Sequence, residues 1–140
     1  MENKNYGIYV VEIFNEEIKG NPIKYVYIGS GLFKGKNGSE LAKRLYQFEN
    51  QIKINENVKA LFKEKGKENL IIKGRWLLKG LTKTSSLFYE SKAINMFKTF
   101  EEGFTSILLN IEDPLDKLIN FKNLSELYSN LTRKDIYKKY

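Results

Sequence analysis

The chain has 140 residues, with 24 Lys and Arg against 17 Asp and Glu, a formal net charge of +7, and neither cysteine nor histidine. That length suits one domain over residues 1–140 with a core of its own. The missing cysteines exclude disulfides, thiolate nucleophiles and cysteine zinc sites, and the missing histidines remove the commonest general base and transition-metal ligand.

Chemistry is thereby left to Asp, Glu, Tyr, Lys, Arg, Ser and Thr, with hard cations such as Mg²⁺ or Ca²⁺ as the compatible ions. The positive balance suits a polyanion, nucleic acid above all, because clustered Lys and Arg release counterions from a phosphate backbone. It equally suits plain solubility. No apolar run approaches the ~20 residues of a membrane span, so no membrane partner is expected. The start, MENKNYG, lacks the pattern of a signal peptide, and cytoplasmic residence is the expectation.

Residues 6–14 alternate as a strand, Tyr9, Val11 and Ile13 on one face and Ile8, Val10 and Phe14 on the other. Gly20, Asn21 and Pro22 punctuate a turn, and IKYVYIG gives a second, antiparallel strand. SGLFKGKNGSE reads as an exposed loop. Leu41, Leu45, Phe48 and Ile52 then recur at helical spacing, and a second helix over 56–65 buries Val58, Leu61 and Phe62 and stops at Gly66. Residues 69–82 predict a third strand, with Gly74 marking a bulge or a close approach. A third helix carries Leu87, Ile94 and Phe97. TSILLNIEDP is a short extended piece ending at a helix start, Asp113 with Pro114, and the lysine-rich segment 111–140 reads as a helical extension.

Two charged residues fall where apolar ones belong. Glu90 lies three residues after Leu87 and four before Ile94, on the apolar stripe, where a carboxylate forfeits hydration unless it pairs with a cation, binds a metal or neutralises. Arg44 lies three after Leu41 and four before Phe48, so its guanidinium leaves from the inner margin of its helix, either snorkelling or reaching a shared site. Tyr9 and Tyr27 suit a core, yet each has a glycine two positions away, Gly7 and Gly29, and glycine in a strand marks close approach.

Gly7-Ile8-Tyr9 and Tyr27-Ile28-Gly29 resemble the paired signature of the GIY-YIG nucleases. The resemblance continues in order through Arg44 in LAKRL, Glu90 in FYESKAI and Asn110 in ILLN, covering residues 6–110. It implies an α+β fold, a small three-stranded antiparallel or mixed sheet flanked by helices. It also implies a metal-dependent endonuclease that hydrolyses DNA phosphodiesters, with RNA as the other candidate substrate. Such an enzyme would be a stand-alone nuclease of restriction, mobile-element or repair type, monomeric or homodimeric. The alternative is a silent nucleic-acid-binding or inhibitory module on the same scaffold.

In that resemblance Glu90 holds Mg²⁺ or Mn²⁺, Arg44 contacts the nonbridging phosphate oxygens, and Tyr9 is the general base, made acidic by Arg44 and the metal. Tyr27 positions water or phosphate, Asn110 bonds to the tyrosines or the backbone, and Gly7 and Gly29 give room. The GIY-to-YIG and YIG-to-arginine spacings are both expanded, in loops whose lysines are candidate phosphate contacts: Lys19, Lys34 and Lys36, with Lys43 on the first helix. The auxiliary His or Lys of relatives is either supplied by Lys34 or Lys36 or left vacant.

Overall fold

A computed structural model describes residues 4–15, 24–35, 38–100 and 106–110. Strands β1 (Tyr6–Asn15) and β2 (Lys24–Leu32) precede helices α1 (Glu40–Glu49) and α2 (Glu56–Lys65) and a short 3-10 turn, Lys67–Asn69. Strand β3 (Leu70–Leu81), helix α3 (Lys83–Phe100) and strand β4 (Ser106–Leu108) complete an α+β arrangement. The Gly20-Asn21-Pro22 turn, Lys19, Lys36 and the expected extension 111–140 lie outside the described residues.

The sheet has order β3-β1-β2-β4. Its three long strands are antiparallel, as expected, but the extended piece after α3 adds a fourth strand, parallel to β2 and paired over Lys24–Val26. The sheet is therefore four-stranded and mixed rather than three-stranded. Two long-range bonds are the reason: Leu109 N–H donates to Val26 C=O at 2.7 Å, and Asn55 Nδ2 donates to Leu109 C=O at 2.9 Å, so the piece is fixed along β2.

Alternation along β1 serves two cores. Ile8 and Val10 pack with Val26, Ile28, Leu77 and the α3 residues Ala93, Ile94 and Phe97. Tyr9, Val11 and Ile13 pack with Leu41 and Phe48 of α1 and with Val58, Leu61 and Phe62 of α2. Thus α3 covers one face, and α1 with α2 covers the other, so β1 is buried on both sides. Fully burying side chains of this size stabilises by about 1.5–3 kcal/mol each.

Caps fix the helix starts. Ser39 Oγ accepts from Ala42 N–H at 3.1 Å and Asn55 Oδ1 from Val58 N–H at 2.9 Å; such caps contribute about 1 kcal/mol each. Thr82 Oγ1 accepts from Ser85 N–H at 3.1 Å at the start of α3. Helix α1 ends earlier than its apolar spacing predicts. Gln51 and Lys53 take positive φ, 55° and 52°, which turns the chain so that Ile54 enters the core while Ile52 is 43% exposed. At Gly74 the close approach is the one observed: a Cβ there would lie 2.7 Å from Leu41 Cδ1, so the glycine admits α1 onto β3. Register shifts fall instead between β1 and β3 near Tyr6, Ile8 and Tyr9.

Candidate active site

Register determines who meets whom on the α1 face. Tyr9 pairs with Gly29 of β2 and with Trp76 of β3, Gly7 pairs with Gly31, and Val11 pairs with Tyr27. Gly7, Gly29 and Gly31 therefore form a floor without side chains on the face that carries Tyr9 and Tyr27. Each is covered by a neighbour: the Trp76 ring lies over Gly7, the Tyr9 ring over Gly29 and the Glu40 side chain over Gly31. A Cβ at Gly29 would collide with Tyr9 Oη, and one at Gly31 with Glu40 Cγ. The glycines expected to give room, Gly7 and Gly29, thus give it to the Trp76 and Tyr9 rings, and at Gly7 also to the Leu78 carbonyl of β3.

Arg44 reaches this floor from α1. Its Nε donates to Tyr9 Oη at 3.2 Å, and its guanidinium carbon stands 5.3 Å from the centre of the Tyr27 ring. Two edge-to-face aromatic contacts hold the tyrosines: Tyr9 with Trp76 at 5.6 Å between ring centres, and Tyr27 with Phe48 at 5.4 Å. Such contacts add about 0.5–1.5 kcal/mol beyond burial. Three residues far apart in the chain so form one cluster, with the arginine's terminal N–H donors still able to face an oxyanion.

Charges in the cluster pull in opposite directions. Burial pushes the Tyr9 phenol above the ordinary tyrosine range; the Arg44 charge and hydrogen bond act to lower it, and Tyr27 and Glu40 add to the rise. The expected acidification of Tyr9 by Arg44 is therefore outweighed, because Tyr9 is only 1% exposed and its anion would lose most of its hydration. For Arg44, burial alone would favour the neutral form, but Tyr9, Tyr27 and Glu40 reverse this and raise its pKa, so it remains a cation.

Asn110 bonds the backbone rather than the tyrosines. Its Oδ1 accepts from Ile28 N–H at 2.8 Å and its Nδ2 donates to Ile28 C=O at 2.7 Å. The amide thereby imitates one more residue of β4 and continues the ladder beside Tyr27, where β4 itself has ended. Lys34 and Lys43 are exposed, Lys43 next to Arg44 on α1.

Glu90 sits on α3, whose core residues pack against the opposite face from Tyr9, Tyr27 and Arg44. It is half-buried. The two faces meet at the end of β2, in a cavity of about 270 Å³ lined by Tyr6, Ser30 and Leu32, by Gly31 with Glu40, and by Lys83, Ser86 and Leu87. Helical geometry sets Glu90 one turn along α3 from Ser86 and Leu87. Among the described residues no three His, Cys, Asp or Glu side chains gather around a common point; a site built on one carboxylate is not of that kind.

Glu40, Gly31 and Trp76 belong to this site and were not among the expected residues. Glu40 had a readable signal, standing four residues before Arg44 and so on the same helical face. Gly31 had one too, two positions after Gly29 on the same strand face. The role of Trp76 depends on the β1–β3 register, which no local pattern announces.

No protein-family model matches the chain, and neither a curated protein nor a solved structure does. Among the described residues no helix is long and apolar enough to cross a membrane.

Proposed function

We propose that the protein is a metal-dependent endonuclease of the GIY-YIG kind that hydrolyses phosphodiester bonds in DNA, acting as a soluble cytoplasmic enzyme. The observation that carries this reading is the hydrogen bond from Arg44 Nε to Tyr9 Oη with the same guanidinium set over Tyr27, at 3.2 Å and 5.3 Å. The two halves of the motif pair and the arginine after them meet at one place, over glycines that seat the Tyr9 and Trp76 rings.

Hydrolysis requires water to attack phosphorus in line with the leaving oxygen, a base for the water's proton, and a cation for the charge that builds up. With Nε committed to Tyr9, the terminal N–H groups of Arg44 would donate to the nonbridging oxygens. Tyr9, as its anion, would accept the proton of the attacking water, with Tyr27 orienting that water or the phosphate. The P–O bond to the leaving oxygen would break as the water oxygen bonds phosphorus, and the leaving oxygen would take up a proton from solvent water. Asn110 keeps the β2 backbone beside Tyr27 in register.

Mg²⁺ binds through one or two carboxylates, several waters and the substrate's own phosphate oxygens, so Glu90 suffices as its protein ligand. The donor set fits: the polar side chains lining the cavity one helical turn from Glu90 carry oxygen, Tyr6, Ser30, Glu40 and Ser86, apart from one lysine, Lys83. Held by Glu90, Mg²⁺ or Mn²⁺ would supply the charge that stabilises the phosphate and the leaving oxygen in the transition state.

The test is cleavage of supercoiled plasmid by purified protein with Mg²⁺. Nicked or linear product is expected from the wild type, and none from folded Glu90→Gln or Tyr9→Phe. Tight DNA binding with no cleavage, across Mg²⁺, Mn²⁺ and duplex, branched and single-stranded substrates, would instead make the chain a silent binding module.

A further inference from the structure

The cluster does not stop at Tyr9. Trp76 stands edge-on to Tyr9, Phe33 stands edge-on to Trp76 with 6.1 Å between ring centres, and Lys79 Nζ lies 5.7 Å from the centre of the Phe33 ring. Tyr9 is buried, whereas Trp76 and Phe33 are half-exposed and Lys34, next to Phe33, is exposed. A line of three rings thus runs from the reactive centre to the surface and ends among lysines. Phe33 is held there beyond the end of β2 by its N–H, which bonds Asn5 C=O at 2.9 Å.

Core packing accounts for the inner side of Trp76, which lies over Gly7 and against Tyr9, whereas Phe33 stands beyond it beside Lys79 and Lys34. Aromatic faces next to lysines are what a nucleobase and its phosphate need, since bases stack on the rings while cations follow the backbone. A base inside a duplex already has both faces covered by its neighbours and cannot use such a surface; an unpaired one can. We propose that Trp76 and Phe33 receive an unpaired nucleobase next to the scissile phosphate, with Lys79 and Lys34 on the adjoining phosphate, so that the preferred substrate is DNA carrying an unpaired nucleotide at the cut. This rests on the nuclease reading for the location of the scissile phosphate, but the stacking surface has its own measurement.

Trp76 is the only tryptophan in the chain, so fluorescence excited beyond the tyrosine absorption band reports on this surface. Wild-type protein in EDTA, where no cutting intervenes, is titrated with short oligothymidylate, with a blunt duplex hairpin closed by a polyether linker in place of loop nucleotides, and with the same hairpin carrying an unpaired thymidine. Quenching is expected from the first and third. Phe33→Leu, which keeps apolar volume but removes the ring, should weaken binding of those two about five- to hundredfold and leave the blunt hairpin within about twofold. Phe33→Tyr should restore it. Equal quenching by the blunt hairpin, or unchanged oligothymidylate binding in Phe33→Leu, overturns the proposal. If the nuclease reading fails, no substrate is cut with Mg²⁺ by any variant; if this inference fails, wild type and Phe33→Leu cut unpaired and blunt substrates in the same ratio.

Discussion

Tyr9 and Gly29 face one another across the β1–β2 ladder, and the Tyr9 hydroxyl occupies the space that a side chain at position 29 would need. Gly29→Ala must therefore push the Tyr9 ring off the sheet. Overpacking of this kind costs about 1–3 kcal/mol. The expected result is a loss of that size in urea unfolding, together with loss of DNA cleavage because Arg44 no longer meets Tyr9. An alanine variant as stable as wild type would show that the ring does not lie where we place it.

The Tyr9 phenol also makes a pH prediction. Its folded pKa is raised by burial above the value near ~10 that it has when unfolded. A group raised on folding stabilises the native state fully below the unfolded pKa, and that contribution is lost as pH rises through the folded one. Wild-type stability should thus decline above about pH 10 relative to Tyr9→Phe, whose own curve lacks this component. Difference curves from urea unfolding between neutral and alkaline pH measure it. At neutral pH Tyr9→Phe should cost about 1–3 kcal/mol, because it leaves the Nε of Arg44 without its acceptor.

Glu12 governs the acid side. Burial alone would raise its pKa, but hydrogen bonds from Arg75 at 3.0 Å and Lys24 at 3.1 Å outweigh this and hold it below the ordinary carboxylate range. Its stabilisation is present above the unfolded pKa near ~4.3 and disappears as pH falls through the folded one. Glu12→Gln should be less stable than wild type at neutral pH, with the gap closing in acid. Thermal melts of both proteins across this range decide it, and a gap that persists in acid would assign the loss to packing.

Asn110→Ala removes both bonds to Ile28 and should cost about 1–3 kcal/mol, since the Ile28 N–H and C=O lose their partners at a site where β4 has ended. Faster amide exchange at Ile28, with the β1–β3 amides unchanged, is the expected signature. Cleavage should fall with it, because the backbone beside Tyr27 is released.

What the sequence allowed and what it withheld follow one physical line. Alternation along β1 showed which residues share a face, and helical spacing set Arg44 and Glu90 on or beside the apolar stripes of their helices, because both patterns are local. Which face each helix covers is not local. Arg44 and Glu90 occupy similar places on their helices, yet the core residues of α1 and α3 pack on opposite faces of the sheet, and it is from the α1 face that Arg44 meets Tyr9. Ile52 misleads for a related reason: its spacing continues the α1 stripe, but the left-handed turn at Gln51 and Lys53 ends that helix first. The short β4 was legible only as extended, since its pairing rests on bonds between residues far apart in sequence, Asn55 to Leu109 and Asn110 to Ile28.

Glu40 offers the most discriminating change at the centre. It lies one helical turn before Arg44, covers Gly31 and lines the cavity at the end of β2. Its charge raises the pKa of both Tyr9 and Arg44, the former against its use as a base. Replacing it with glutamine keeps shape and removes the charge, so the Tyr9 anion becomes easier to form. The cleavage rate of the wild type is expected to climb with pH into the alkaline range, and that of Glu40→Gln to climb at lower pH, with the same limiting slope. Arg44 remains a cation in both, so the displacement belongs to the base and not to phosphate binding. Rates measured on one plasmid substrate at fixed Mg²⁺ across neutral and alkaline pH provide the comparison. A Glu40→Gln profile displaced to higher pH would contradict Tyr9 as the base, whereas a uniform fall at every pH would make Glu40 a contributor to cation or substrate binding through the cavity it lines.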